Sequence, residues 1–255
     1  MQMWYNWKKN GKVGEPMSER TYFWIEDCKD KASFRFWETL MHELFPEVVV
    51  EGKKNNSELV KAVKTLPDND NKYIVICDNS FDNVQVYQER KVLKYYADLK
   101  SNIFLVDIIC FEYVLLEFDK LIQWIYALDD EFLVKRADAI IARDKLVRAL
   151  KAGMLEYKTL WEVINYDRNL NRHNIEQLAA KLLFDLTRNT GFEVSKGKIG
   201  DCWIKACCEW AGRAEDDMCG LDGSRLSISD KMKSIYTGTS LKMELEKLGL
   251  EALLC

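Results

Sequence analysis

The sequence predicts an α/β protein in which a parallel β-sheet domain is followed by a mainly helical C-terminal domain. Two observations predict the sheet: short apolar runs alternate with amphipathic segments over residues 20–118, and each apolar run reaches the next through a helix-length connection. A third observation predicts the helical domain, because apolar residues recur at helical spacing over most of the chain after residue 120. A chain of 255 residues can form one large domain or two modest ones.

The predicted elements of the sheet domain follow the order β-α-β-α-β-α-β-α. Strands are predicted over about residues 20–26, 48–52, 73–76 and 102–109, and helices over 29–44, 57–66, 84–99 and 110–118. Proline ends the first two helices, and Ser57 with Glu58 is expected to begin the second. We therefore divide the chain into an N-terminal arm at 1–19, the sheet domain at 20–118 and a helical domain at 119–255.

Within the helical domain the pattern is interrupted at three places and ends in a short helix. The interruptions fall near residues 129–130, at Gly153 and around 169–171, and residues 192–200 read as a loop or hairpin. The last helix is predicted over 241–248, with residues 239–240 as its N-cap.

The net charge, the apolar runs and the cysteine content of the chain each exclude some classes of protein. The formal charge of -4 provides no general attraction for nucleic acid, so contact with phosphate requires a local basic patch or a metal ion. No apolar run is long enough to span a bilayer, and the first ten residues lack the order of a signal peptide. Eight cysteines in a chain of this length indicate reduced thiols in a cytoplasmic protein. Four of them cluster late in the chain without the spacing of a zinc ribbon, and their role stays open: Cys202, Cys207, Cys208 and Cys219.

Acidic residues follow two of the predicted strands. Glu26 comes directly after the first strand, and Asp78 and Asp82 follow the central strand over 73–76. Parallel strands present their carboxyl ends at one edge of the sheet, where ligands bind in open α/β folds. Carboxylate oxygens are the ligands that Mg²⁺ prefers, so the sequence predicts that these three residues hold one Mg²⁺ or Mn²⁺ ion. The alternative is that they only end strands and cap the helices that follow.

The acidic pattern resembles the Toprim superfamily, the metal-binding fold of topoisomerases, primases and several nucleases. That family places a Glu after its first strand and an Asp-x-Asp after its third, and here Glu26 and Asp78 match the first two acids. Ser80 occupies the second Asp position, which departs from the pattern, and Asp82 lies two residues further on. The sequence CDNSFD at 77–82 is similar to a variant in Toprim-like proteins of bacterial and phage defence loci.

A second motif of that defence group follows the fourth strand. The group carries a short helix of the form Ile-Glu-Asn-Tyr-Leu there, and residues 109–116 are similar, with Glu112 at the acidic position. The resemblance covers about residues 20–118. It implies a metal-dependent nuclease that cleaves DNA or RNA, with tRNA as one option, in antiviral defence under the control of a partner ATPase. By this resemblance Glu112 would be a further catalytic residue, and Ser80 a hydrogen-bond donor near the metal.

The sequence leaves several alternatives open. Because Ser80 replaces an acid, the chain could instead be a catalytically degenerate Toprim-like module that binds a protein partner in a phage or defence system. Whether it is an enzyme, and whether it forms a homo-oligomer, is not decided. Arg136, Arg143 and Lys151 lie near one helical face that could follow phosphates, although interrupting acids make an ordinary solvated face the simpler interpretation.

Overall fold

The computed structural model describes residues 19–80, 82–125, 130–166, 174–195, 197–208, 219, 221 and 225–253, with the side chains of 130–135 left out. The predicted N-terminal arm lies outside the described residues except for Glu19. The strands are β1 (Thr21–Ile25), β2 (Val48–Gly52), β3 (Lys72–Ile76), β4 (Ile103–Leu105), β5 (Val194–Ser195) and β6 (Lys198–Ile199). The helices are α1 (Ala32–Leu44), α2 (Asn56–Thr65), α3 (Val84–Leu99), α4 (Phe111–Glu117), α5 (Leu121–Trp124), α6 (Asp130–Lys151), α7 (Tyr157–Ile164), α8 (Ile175–Thr187), α9 (Asp201–Ile204), α10 (Ile228–Thr237) and α11 (Leu241–Lys247).

The first four strands form a parallel sheet in the order β2-β1-β3-β4, and helices make up most of the chain that follows. The prediction of an α/β protein with a parallel sheet and a helical part is thereby confirmed. In the register of the sheet, Ile25 lies beside Gly52 on one side and beside Ile76 on the other. The three strands therefore end level with one another, and the residues that follow them start from the same edge.

Both faces of the sheet are covered, as in other parallel sheets. Alternate residues of the central strands point to opposite sides: Phe23 and Ile74 belong to the core beneath α1 and α4, whereas Trp24 and Val75 belong to the core beneath α2 and α3. All four side chains are at most 5% exposed. Burying an apolar side chain of this kind contributes about 1.5–3 kcal/mol, so the alternating pattern fixes which face each strand residue occupies.

Several predicted boundaries differ from the structure for local reasons. Helix α1 starts at residue 32, not 29, because the N–H of Lys31 donates to the carbonyl of Cys28 at 3.0 Å and closes a turn first. Helix α2 begins at Asn56 and not at Ser57, because the Asn55 side chain accepts from the N–H of Glu58 and caps the helix there. Strand β4 spans only three residues, and the carbonyl of Val106 accepts from the Arg90 side chain just after it ends.

The helical part packs directly against the sheet domain. Helix α4 lies against α8 and α6, and one continuous apolar core runs from β1 to α11. Arg143 donates to the carbonyls of Leu116 and Phe118, so its charge fastens α6 to α4 and does not form a surface strip. Ser240 makes no side-chain cap for α11; its N–H and hydroxyl instead donate to the Glu117 carboxylate.

Two further predictions on the helical part are met: Gly153 follows α6 with a positive φ of 79°, and residues 192–200 contain the β5–β6 hairpin. Among the described residues, no helix combines the length and apolar character that crossing a membrane demands.

Candidate functional site

A cavity of about 420 Å³ opens at the carboxyl end of the parallel sheet. Its walls come from the ends of β1 and β3, the first turns of α1 and α4, the start of α8 and the β5–β6 hairpin. Five carboxylates line it, together with one lysine: Glu26, Asp27, Asp78, Glu112, Glu176 and Lys31. We call it the acidic cavity. Four separate segments of the chain contribute its carboxylates, so it is a product of the tertiary fold.

The β1 side of the acidic cavity is held by a close backbone approach. A Cβ on Gly52 would lie 2.4 Å from the carbonyl oxygen of Asp27. Only glycine therefore allows the end of β2 to lie this close to the segment that follows β1. The N–H of Lys53 donates to the carbonyl of Ile25 at 2.7 Å and fixes the same corner. The hydroxyl of Ser33 donates to the Asp27 carboxylate, which ties the first turn of α1 to the end of β1.

The β3 side brings Asp78 and Glu112 into the same space. Glu26 and Asp78 both line the cavity, and they meet there because Ile25 of β1 lies beside Ile76 of β3 in the sheet. The N–H of Asn79 donates to the carbonyl of Ile109 at 2.8 Å, which holds the chain that leads into α4 against the end of β3. Glu112 then enters the cavity from the first turn of α4. Three predicted residues, Glu26, Asp78 and Glu112, therefore share one cavity.

Glu176 is a cavity residue that the sequence analysis did not identify. It lies in the first turn of α8, where a carboxylate is an ordinary helix-start residue, so the sequence carries no signal that would single it out. Its position depends on Asp82, whose Oδ2 accepts from the N–H of Ile175 at 2.9 Å and holds the start of α8 over the sheet. A side chain predicted as a metal ligand thus brings another carboxylate to the cavity.

Asp82 and Ser80 do not line the acidic cavity. Ser80 is completely buried, and its hydroxyl has no hydrogen-bond partner among the described residues. Asp82 is turned toward α8, and burial raises the pKa of its carboxyl group. The structure therefore brings together two of the three predicted metal ligands, Glu26 and Asp78, and gives the third a contact with a helix terminus.

The carboxylates of the cavity raise one another's affinity for protons. Burial raises the pKa of Glu26 to about 8, and the negative charge of Asp27 adds to the rise. Burial also raises the pKa of Asp78 well above its ordinary range, followed by the charges of Glu26 and Glu112. The pKa of Glu112 is raised to about 7, again mainly by burial. A cation placed among these groups would oppose both causes, because it favours the charged carboxylates.

The donor set fits a hard divalent cation. All of the carboxylates offer oxygen, which Mg²⁺ and Mn²⁺ prefer, and Oε2 of Glu26 is buried with no hydrogen-bond partner within the described ranges. Leaving such an atom unpaired costs about 1–3 kcal/mol, which a bound cation would offset. In the part of the chain that the structure describes, no three acidic, cysteine or histidine side chains already form a metal-binding cluster. Holding an ion therefore requires these side chains to rotate toward one another.

The late cysteines form no disulfide among the described residues. Cys202, Cys207, Cys208 and Cys219 are all in the reduced form, and burial raises the pKa of Cys202 to about 11. Cys202, Cys207 and Cys219 pack against the apolar core and so fit the interpretation of packed thiols, whereas Cys208 is exposed.

The structure is that of an α/β protein with a cavity lined by five carboxylates at the carboxyl end of its parallel sheet. Comparison of the chain with protein-family models, with curated proteins and with solved structures finds no match. The functional argument therefore depends on the chemistry of the cavity.

Proposed function

We propose that the chain is a Mg²⁺- or Mn²⁺-dependent nuclease with a Toprim-like sheet domain, acting as a defence-type effector under the control of a partner. The observation that carries the proposal is the convergence of five carboxylates from four chain segments on one cavity at the strand ends. Such a concentration of like charge, with strongly raised pKa values, is typical of sites that bind cations or transfer protons. Two of these residues, Glu26 and Asp78, also occupy the acidic positions of the Toprim pattern.

Each residue has a definite role in this proposal. Glu26 and Asp78 would hold the ion, and Asp82 is a third candidate whose contact with α8 gives it a competing structural role. A bound Mg²⁺ would polarise a phosphoryl oxygen of the substrate. Glu112, with a pKa raised to about 7, can accept a proton from the attacking water near neutral pH. Lys31 lines the same cavity and supplies a positive charge for the phosphodiester.

Ion uptake and cleavage test the proposal together. We expect millimolar Mg²⁺ or Mn²⁺ to raise the melting temperature of the wild type, and the protein with either ion to cleave at least one of single-stranded DNA, duplex DNA and RNA. Asp78→Asn should abolish the ion-dependent rise and lower cleavage at least about 100-fold, because a carboxylate ligand is lost. Asp70→Asn is the matched control: Asp70 is exposed just before the opposite end of the same strand and should behave as wild type. Cleavage that survives Asp78→Asn would refute the assignment.

A second candidate is the catalytically degenerate module that binds a protein partner. The observation that favours it is the burial of Ser80, which leaves the second acidic position of the Toprim pattern without a side chain in the cavity. In that case the protein should show no ion-dependent rise in melting temperature, no cleavage of any of the three substrates, and recovery of one stoichiometric protein partner on purification.

A further inference from the structure

A second depression, the edge groove, lies between α3 and the edge strand β4. It has a volume of about 740 Å³ and runs from Leu248 and Lys100, near the start of β4, to Asn79 and Asp107, near the carboxyl ends of β3 and β4. Strand β4 lies at the end of the sheet order, so it pairs with β3 alone within the described part of the chain. The groove thus follows the whole length of an open sheet edge.

The charge of the edge groove is opposite to that of the acidic cavity. Four cations line it against two carboxylates: Arg90, Lys91, Lys94, Lys100, Asp98 and Asp107. Tyr87, Lys91 and Lys94 follow one another on α3 at helical spacing and all three are exposed. Neither lysine forms an ion pair among the described residues, and the Lys91 ammonium lies 4.4 Å from the centre of the Tyr87 ring. Arg90 pairs with Asp107 and Lys100 donates to the carbonyl of Leu66, so Lys91 and Lys94 are the cations that remain available to a ligand.

The edge groove ends at the acidic cavity, and one wall separates them. Asp78 lines the cavity, whereas the next residue, Asn79, lines the groove. The same change of side occurs between Asp107, in the groove, and Ile108, in the cavity. The Asn79 amide donates to the Asp107 carboxylate at 3.1 Å across the top of this wall. A polymer lying along β4 would therefore be delivered to the rim of the acidic cavity.

We propose that the edge groove binds the sugar-phosphate backbone of single-stranded nucleic acid and directs it to the acidic cavity. The inference deepens the proposed nuclease function and rests on it. The free ammonium groups of Lys91 and Lys94 meet phosphates, and the exposed face of Tyr87 offers a stacking surface for an unpaired base. These contacts recognise phosphates and the flat face of a base, which are common to all sequences and to both DNA and RNA. We therefore expect the groove to bind single strands of either kind.

Binding in the absence of any divalent ion tests the inference separately from cleavage. Fluorescence anisotropy with labelled 20-nucleotide single strands of DNA and RNA, and with a DNA duplex, would be measured in EDTA over a series of salt concentrations. The Lys91→Ala/Lys94→Ala double variant should bind the preferred strand at least about fivefold more weakly, with a smaller salt dependence. Lys61→Ala/Lys64→Ala is the matched control, because these exposed lysines on α2 have the same spacing and lie outside the groove. The control should stay within about twofold of wild type.

The outcomes separate the two proposals. Asp78→Asn should keep wild-type affinity in EDTA while losing cleavage; intact binding by a wild type that cleaves nothing would refute the nuclease and retain the groove. Equal effects of the two double-lysine variants would refute the groove and leave the nuclease standing. Tighter binding of the duplex than of either strand would also refute the groove as stated. If the wild type bound none of the three probes, the proposed role of the groove would also be refuted. That result would favour a protein segment as the occupant of the open β4 edge.

Discussion

The acidic cavity and the edge groove are built on the same strand ends and yet carry opposite charge. The difference arises from the period of an extended chain, which sends successive residues to opposite sides. Asp78 and Asn79 separate in this way after β3, and Asp107 and Ile108 separate after β4. The segment after β3 thus supplies the Asp78 carboxylate to the cavity, whereas Asn79 and Asp107 lie on the groove side beside the α3 lysines. The overall charge of the chain conceals this division.

The wall between the two depressions depends on Arg90, and removing that side chain should cause the largest loss of stability. Its guanidinium donates to the carbonyls of Cys77 and Val106 and to the Asp107 carboxylate, and the side chain is only 14% exposed. Arg90→Ala leaves two carbonyls with one donor fewer and removes a part-buried ion pair, so we expect a loss of about 3 kcal/mol in the free energy of unfolding. Urea denaturation measures it.

Lys91→Ala is the control for Arg90→Ala, because Lys91 is the adjacent residue on α3 and is exposed. Its loss should change the free energy of unfolding by less than about 0.5 kcal/mol. If the two variants unfolded at the same urea concentration, Arg90 would not hold the wall, and the separation of cavity and groove would need another cause.

The acidic cavity should make the metal-free protein less stable as the pH rises. A carboxyl group whose pKa is higher in the folded state contributes its full stabilisation below its unfolded value, near 4.5, and loses it as the pH rises through the folded value. For Glu26 that value is about 8, and for Glu112 about 7. Between pH 5 and 8.5 the wild type should lose stability, and Glu26→Gln should reduce this loss by up to about 4 kcal/mol, at about 1.4 kcal/mol per pH unit.

Urea denaturation in EDTA at a series of pH values checks the pH dependence. Asp70→Asn removes an exposed carboxylate away from the cavity and should reproduce the wild-type slope. If the free energy of unfolding fell equally with pH in wild type and Glu26→Gln, the Glu26 carboxylate would not be the cause of the pH dependence.

The parts of the fold that the sequence predicts well are those set by local patterns. Helix α3 matches its predicted bounds of 84–99, and the parallel sheet follows from apolar runs that alternate with helices. Ligand sites of open α/β folds lie at the carboxyl ends of the strands, and this correctly predicts that Glu26 and Asp78 lie together. Both residues come just after strands that lie side by side. In each case the signal is a local pattern, namely an apolar run and the residues that come just after it.

The parts that could not be predicted depend on contacts between distant segments. Glu176 reaches the acidic cavity because Asp82, far earlier in the chain, holds the start of α8, and no local pattern encodes that contact. Lys91 and Lys94 line a groove only because the neighbouring strand, β4, is short and lies at the edge of the sheet. Asp82 was predicted as a ligand because it follows the same strand end as Asp78, but position in the chain does not show which way a side chain turns.

Asp82 gives the sharpest test of where the acidic cavity ends, with the smallest expected effect on stability. As a helix anchor, its carboxylate is replaceable by an amide, since the carbonyl oxygen of Asn can still accept from the N–H of Ile175. Asp82→Ala should lower the free energy of unfolding by about 1 kcal/mol, as the loss of a helix-terminal acceptor does, and Asp82→Asn by less than half of that. Both variants should keep the Mn²⁺ affinity of the wild type within about threefold.

A metal ligand at Asp82 would give the opposite pattern. The charge would then matter more than the hydrogen bond, so Asp82→Asn and Asp82→Ala would both weaken Mn²⁺ binding at least about tenfold, as Asp78→Asn should. Calorimetric titration of Mn²⁺ into the three variants, alongside their urea denaturation, distinguishes the two roles. Retained affinity in Asp82→Asn, with its loss in Asp78→Asn, would assign the cation to Glu26, Asp78 and the carboxylates brought by α4 and α8. It would also explain how the chain tolerates Ser80 at the second acidic position, because side chains from the helices would replace the acid that the strand lacks.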